Sequence, residues 1–397
     1  MTTTATTTRP APSVIDIWGD SDRTVTFFKG RVALYAILRA AGIGLDDEVL
    51  LPGFTCVVVP AAVIYTGATP TFYDINPRQL NGDPDDAVNR ITEHTRAIIV
   101  QHTFGVPADL GRLKEVCKER GILLIEDCAH AMGATLDGQQ VGTLGDAAFA
   151  SLQWSKLVTT GLGGIARAND DSLYERLCSF HDEECADPPW QEEAFLNLAC
   201  TMHSKFFRPS MFWALQSLYR TVGSIGLVRG SSDQCELSSP NIPPRHAMRF
   251  GKRRRSRLTA TLRMLPQVIE HRRSIADIYK TQLRSWNIDL QEEQRGAVSV
   301  PLRVPIRVRD RSALLEEARR ERIELGDWFN APLHPVEAPQ AMFGYGAGDC
   351  PHAERAAVEL LNLPTHPGVD ADAAEGVLEF LGKHRHQLLP TQPNIRA

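Results

Sequence analysis

The sequence contains no run of eighteen uncharged apolar residues, so it offers no segment that spans a membrane. Its first dozen residues, MTTTATTTRPAP, lack the apolar stretch of a signal peptide and read as a floppy tail. Eight cysteines are scattered without a C-x-x-C pair. With no leader, that pattern suggests reduced thiols in a cytoplasm rather than a disulfide framework, and no metal is expected. A dominant charge sign is also missing. Lys and Arg number 43 against 48 Asp and Glu, a net charge of -5, and the pI is about 6.2. The molecule as a whole is therefore no nucleic-acid binder by charge. There is no internal repeat, and no low-complexity tract beyond the threonine-rich start.

What remains is an ordinary globular composition. Of 397 residues, 43% are hydrophobic, enough for one large core and a smaller one. From about residue 30 to 168, helical and extended stretches alternate. Val32, Leu34, Ile37, Leu38 and Ala41 share a helical face, stopped by Gly42 and Gly44. Asp83-Pro84 reads as a capped helix start. Leu110, Leu113, Val116 and Cys117 form another stripe, ended by Gly121. Val49-Leu50-Leu51, Ala97-Ile98-Ile99-Val100 and Ile122-Leu123-Leu124-Ile125 are apolar throughout. Strands without polar alternation are buried on both faces, which predicts a mainly parallel sheet covered by helices. Ligands of such sheets sit beyond the carboxyl ends of the strands. That directs attention to Glu126-Asp127 and to the loop after Ala148-Phe149-Ala150.

The expected division is a tail over 1–20, a large α/β domain over 21–184, an aromatic-rich and mainly helical insertion over 185–245, and a smaller α+β domain over 246–397. Within the insertion, residues 195–228 carry a broad apolar face at near-helical spacing. It reads either as plain packing or, near the mouth of a site, as a lid or contact surface for a large, partly apolar substrate or a membrane surface. From about 246 a long basic helix runs to Tyr279, followed by short strands at 298–300 and 305–308. The run Lys252-Arg253-Arg254-Arg255 reads as a solvated helix face, or as a contact for substrate phosphates.

The residues that follow the buried strands match the needs of pyridoxal phosphate. That cofactor requires a lysine for its aldehyde, a carboxylate for its ring nitrogen, and donors for its phosphate. Lys156 follows an apolar strand, with Ser151 five residues before it and Gly161-Leu162-Gly163-Gly164 after it. Asp127 ends a buried strand, where a carboxylate is costly without a positive partner. Gly30-Arg31 opens a helix, whose first N–H groups suit a phosphate. Arg31 is either an ordinary first-turn residue or the partner of an anion. His130 is either a satisfied core histidine or a cofactor contact. Cys128 reads as a small buried filler.

The segments GRVALYAILRAAGIGLDDEVLLPGFTC, GATPTFYDINP, GVPADL, IEDCAHAMGA, GTLGDAAFASLQWSK, GLGG, PLHP and CPHAERAAVELLNLPTHP stand in one order. In that order they resemble the DegT–StrS sugar aminotransferases, of the fold-type-I pyridoxal-phosphate enzymes, over about residues 28–382 apart from 185–245. The resemblance implies that Lys156 bonds the cofactor aldehyde and serves as general base, and that Asp127 partners the ring nitrogen. It places His130 near the 3-hydroxyl, and Ser151, Gly30 and Arg31 at the phosphate. It implies a homodimer in which Arg249 reaches the partner's site and contacts substrate. It also implies a small-molecule amino donor, L-glutamate in the family, and a keto-sugar acceptor, often nucleotide-linked. Several positions depart from the family pattern. Cys56 stands where an aromatic usually packs on the ring, Ala247 replaces an asparagine, Leu162 a glutamate, and Trp328-Phe329 a His-Tyr pair. Those departures keep open a non-sugar ketone, a different reaction of the same cofactor, or a non-catalytic scaffold or regulator.

Overall fold

In this computed structural model the chain is described over residues 23–206 and 239–390. Strand β1 (Thr24–Phe27) leads at once into helix α1 (Gly30–Ala40), in which every residue but Arg39 is buried. A helix this apolar belongs inside a core. It ends where Gly42 takes a φ of 76°, a conformation that a β-carbon makes costly. Strand β2 (Glu48–Pro52), the short β3 (Thr55–Cys56), helix α2 (Val58–Ile64) and strand β4 (Thr69–Tyr73) follow. Helix α3 (Pro84–Asn89) starts as its sequence predicts: the Asp83 side chain accepts from the N–H groups of Asp85 and Asp86, and Pro84 sits in the first turn. Then come β5 (Thr95–Gln101), α4 (Gly111–Arg120) closed by left-handed Gly121, and β6 (Leu123–Asp127). The short β7 (Thr135–Leu136) and β8 (Gln139–Gln140) precede β9 (Ala147–Ser151), β10 (Gly164–Ala168) and α5 (Asp171–Glu183).

These strands build a seven-stranded sheet of order β1-β10-β9-β6-β5-β2-β4. From β9 to β4 the neighbours run parallel, as fully apolar strands between helices require. The antiparallel edge made by β10 and β1 was not read from the sequence. No helix separates β9 from β10, so the chain reverses against its neighbour instead of crossing over. The pairings Gln101↔Asp127 and Asp127↔Phe149 align the carboxyl ends of β5, β6 and β9. That alignment creates the crevice.

Helix α6 (Trp190–Phe206) occupies the start of the expected insertion. Its Leu196 packs with Phe28, Leu162 and Met248, which puts the helix over the glycine-rich turn after Lys156. The apolar face expected over 195–228 lies mostly outside the described residues. The long basic helix expected from residue 246 is divided: a 3₁₀ turn at Lys252–Arg254 leads to α7 (Arg255–Arg263) and then α8 (Leu265–Ser285). The break falls at Met264, just before Pro266, which has no N–H to give and is tolerated only in a first turn. The solvated face expected for the basic run is also corrected at Arg254, which is fully buried. Its guanidinium donates to Glu193 of α6 at 2.6 Å and to the Thr160 and Leu162 carbonyls, and it lies 4.6 Å from the Phe250 ring centroid. A buried cation is tolerated when its donors are met in this way.

After β11 (Ala297–Val298), strand β12 (Arg303–Arg307) and helix α9 (Arg311–Arg320) enter a second core with α8. The chain then forms a separate two-stranded sheet beside the large one. Strand β13 (Leu333–His334) pairs in parallel with β3, setting His334 opposite Cys56. Helix α10 (Pro351–Glu359), strand β14 (Leu360–Pro364), which is antiparallel to β12, and helix α11 (Ala371–Lys383) complete the fold. Among the described residues no helix is long and apolar enough to cross a membrane.

Candidate active site

Six of the residues singled out in the sequence line one cavity of about 300 Å³: Gly30, Arg31, Asp127, His130, Ser151 and Lys156. They come from the start of α1, the end of β6, the end of β9 and the turn after it. Arg249 is not on this cavity. Its guanidinium donates to the carbonyls of His181 (3.0 Å) and Asp182 (2.7 Å), fastening the end of α5 within the same chain.

Asp127 is buried at the crevice, with Oδ1 accepting the Ala129 N–H at 2.9 Å. Burial pushes its carboxyl up to about 6, against the opposing pull of the Ala129 N–H, Lys156 and His102. Burial drives the Lys156 amine the other way, down to about 8; Asp127 and Cys56 oppose that shift and Arg303 adds to it. Each group is thus held partway to neutrality, and each opposes the other's shift. His130 is kept well below its ordinary range by burial, then by Lys156, Arg303 and His334. Its Nδ1 accepts the Phe104 N–H at 3.3 Å, so the neutral ring carries its proton on Nε2.

Behind Asp127 sits a buried strut. Glu126 accepts the N–H groups of Gly142, Leu144 and Gly145, each at 2.7 Å, and faces His102 Nε2 at 3.1 Å. His102 Nδ1 in turn accepts the Ala108 N–H at 3.0 Å. Cys128 lies close enough to make a cluster of metal-ligand types. Both His102 nitrogens and both Glu126 oxygens are already engaged, so the cluster positions loops rather than offering open ligands.

At the other end of the cavity, α1 begins with no side-chain cap and no acidic residue in its first turn. Its positive end therefore faces the crevice without a counter-charge from that turn. The backbones approach closely there. A β-carbon on Gly30 would stand 2.9 Å from Ser151 Cβ, and one on Gly164 would stand 2.2 Å from the Lys29 carbonyl oxygen. Glycine at both positions lets an anion meet α1, β9 and β10 together.

The remaining wall was only partly legible in the sequence. Cys56, Trp328, Phe329 and His334 line the cavity, as does Gln101, whose amide is held by the Phe54 carbonyl and the Thr103 hydroxyl. The Trp328 ring stacks on His130 at 5.4 Å and lies 4.5 Å from Lys156 Nζ. Burial pulls the His334 imidazole down to about 4. The PLHP segment pointed to His334 without a role. Nothing in the sequence pointed to Gln101 or Arg303.

A model of the DegT/DnrJ/EryC1/StrS aminotransferase family matches residues 16–205 and 254–382. An L-glutamine:2-deoxy-scyllo-inosose aminotransferase of Streptomyces kanamyceticus is 46% identical over 148 residues, which is 37% of this chain and 35% of that protein. A pleiotropic regulatory protein of Geobacillus stearothermophilus is 28% identical over 361 residues, 90% of this chain and 84% of that one. Among solved structures, the aminotransferase TlmJ from Streptoalloteichus hindustanus superposes with a TM-score of 0.71 at 25% identity, covering 93% of this chain and 87% of that one.

Proposed function

Because the chain belongs to the DegT/DnrJ/EryC1/StrS aminotransferase family, we propose that it uses pyridoxal phosphate to move an amino group from an amino acid to a keto-sugar. The observation that carries this reading is the placement of Lys156 and Asp127 on one cavity, each shifted toward neutrality by burial. The donor set fits the cofactor. Lys156 suits the aldehyde, Asp127 the ring nitrogen, and the glycine-lined start of α1 with Ser151 the phosphate. When bound, pyridoxal phosphate supplies an aldehyde that captures an amine and a protonated ring that absorbs electrons from the bond being broken.

The chain's own residues do the rest. Lys156, with a pKa near 8, is partly neutral at neutral pH, so Nζ can take a proton from a substrate carbon and return it. Asp127 gives its charge to a protonated nitrogen brought against it, which offsets the cost of burying the carboxylate. With Nδ1 taken by the Phe104 N–H, the Nε2–H of His130 is left to donate to an oxygen of a bound group. Leu34, Val58, Val59 and Trp328 exclude water from the reacting atoms.

The donor in this proposal is L-glutamate, by family resemblance. The name of the Streptomyces relative, L-glutamine:2-deoxy-scyllo-inosose aminotransferase, makes L-glutamine the second donor to try. The acceptor is a keto-sugar, nucleotide-linked in the main reading. A non-sugar ketone is the second reading, favoured by Trp328 and Phe329 on the wall in place of the family's His-Tyr pair. A cytoplasmic homodimer, with Arg249 serving the partner's site, completes the proposal. The test is to load the protein with pyridoxal phosphate and supply each donor with a panel of nucleotide-linked keto-sugars, inososes and simple ketones. Aminated products are then read by mass spectrometry. The expected result is one donor and one acceptor class converted. A protein that binds no cofactor is the scaffold or regulator instead, and one that binds it and aminates nothing leaves a different reaction of that cofactor or the scaffold.

A further inference from the structure

Strand β13 ends on His334, which its pairing with β3 sets opposite Cys56 on the wall of the candidate site. The neighbours of its ring fix where the proton sits. Asn330 Oδ1 accepts the Val336 N–H at 3.0 Å, which identifies that atom as the oxygen of the amide. The same oxygen lies 2.8 Å from His334 Nδ1. A carbonyl oxygen gives no proton, so Nδ1 carries the one between them. The Asn330 N–H also reaches toward Nδ1, at 3.5 Å, and would ask for the opposite tautomer. The shorter contact decides, because two bare lone pairs would not close to 2.8 Å. The amide is held in turn, its Nδ2 facing Asp327 Oδ2 at 3.4 Å. Nε2 of His334 is left with its lone pair, and among the described residues no hydrogen bond reaches it. Asn330 and Asp327 do not line the cavity and His334 does, so Nε2 is the nitrogen its ring offers to a bound molecule.

The cavity thus holds two uncharged histidines of opposite kind: His130 offers a donor at Nε2, and His334 an acceptor. The Trp328 ring touches both, with centroids 5.4 Å from His130 and 5.8 Å from His334. Burial keeps His334 from gaining a second proton; Asp327 opposes this, and Lys156, Arg303 and Arg311 add to it. A bare lone pair selects among ligands. It repels a carboxylate or a phosphate, which bring only lone pairs of their own. A hydroxyl meets it by donating, whereas a plain ketone leaves a desolvated acceptor unmet. Position narrows the choice further. The charge of Lys156 is felt at His334, and Lys156 Nζ lies 4.5 Å from the same Trp328 ring. A hydroxyl that reaches Nε2 therefore stands close to the carbon that meets Lys156. We propose that His334 accepts a hydrogen bond from a hydroxyl next to the carbonyl of the amino acceptor, and that Asn330 is the positioning residue that keeps Nε2 bare. This rests on the aminotransferase reading above and narrows its acceptor to a hydroxylated ketone, whether a keto-sugar or a carbocyclic polyol.

The experiment compares the cofactor-loaded parent with His334→Phe, His334→Gln and Asn330→Ala. Amination of 2-hydroxycyclohexanone and of cyclohexanone, which differ only in the hydroxyl, gives a ratio of kcat/KM values for each protein. An inosose and a nucleotide-linked keto-sugar, run alongside, tell which source supplies the hydroxyl. The parent is expected to prefer the hydroxyketone by about tenfold or more, and His334→Phe to bring the ratio within about twofold of one. His334→Gln, whose amide oxygen also accepts, is expected to recover part of the preference, and Asn330→Ala to lower it. Nitrogen-15 NMR of histidine-labelled protein reads the tautomer directly, with the His334 signals assigned by their loss in a His334 variant. The proton is expected on Nδ1, with the Nε2 signal moving as myo-inositol, a polyol without a carbonyl, is titrated in. Three results overturn the proposal: a parent ratio within about twofold of one, a ratio left unchanged by His334→Phe, or a proton on Nε2. Should His334→Phe fail to fold, His334→Gln and the NMR signals decide. If the parent aminates nothing, the aminotransferase reading fails, while the tautomer and the response to myo-inositol still judge His334, an unmoved Nε2 signal counting against it.

Discussion

Asp127 and Lys156 are displaced in opposite directions by one cause, the loss of water around a charge. The consequence for stability can be worked out. Asp127 ionises near 6 when folded, above its ordinary 3.8, so its favourable contribution is whole below about pH 4 and is lost as pH rises through 6. Lys156 protonates near 8 when folded, below 10.5, so its contribution is whole above about pH 10.5 and is lost as pH falls through 8. As far as this pair is concerned, the cofactor-free protein is least stable between pH 6 and 8. Asp127→Asn is therefore expected to stabilise the cofactor-free protein at pH 7 by up to about 3 kcal/mol, and hardly at all at pH 4, in thermal melts. The same variant is expected to lose turnover on the order of a hundredfold, because an amide cannot hold a ring nitrogen protonated. A second residue-scale prediction is chemical. Borohydride added to the loaded protein is expected to fix the cofactor on the peptide bearing Lys156, and Lys156→Ala is expected to take up no label. Label on another lysine would sink the assignment.

At the scale of elements, the crevice depends on three backbones meeting where α1 begins, β9 ends and β10 begins. Gly30→Ala drives a β-carbon to 2.9 Å from Ser151 Cβ. The expected cost is about 1–3 kcal/mol, read as weaker cofactor binding in an absorbance titration, with the fold retained. A second contact joins elements behind Lys156. Arg254 ties α6, through Glu193, to the carbonyls of Thr160 and Leu162. Glu193→Gln leaves a buried cation short of its counter-charge, which costs about 3–5 kcal/mol when such a pair is broken. Denaturant unfolding measures it, and a change below about 1 kcal/mol would show that the carbonyls alone satisfy Arg254. This pair also explains why Arg254 alone departs from the solvated face expected of the basic run, whose Lys252, Arg253 and Arg255 are exposed. A charge pattern gives the helix a polar face, but the partner that draws one arginine inward lies on another helix.

For the whole molecule, the expected assembly is a homodimer of a 43.9 kDa chain, tested by light scattering with and without cofactor. A monomer with full activity would remove Arg249 from any trans role and leave it the intrachain fastening of α5.

Some of this was settled along the chain itself. Unbroken apolar strands between helical stripes need cover on both faces, so the parallel part of the sheet follows from sequence. The strand ends then place Asp127 and Lys156 at the crevice, because side chains after buried strands emerge on one edge. Asp83-Pro84 and Gly121 set helix ends by local chemistry, and local chemistry is what a sequence states. The edge formed by β10 and β1, the broken helix at Met264, and the inward turn of Arg254 required the folded chain. So did the wall of Trp328, Phe329 and His334, brought to Cys56 by the pairing of β13 with β3. Those residues sit in a different part of the chain from Lys156, and no local pattern encodes a contact made by strand pairing. Arg303 belongs to the same group. Its sequence says only that it is a cation between two short strands, and tertiary structure alone brings its charge to bear on Lys156.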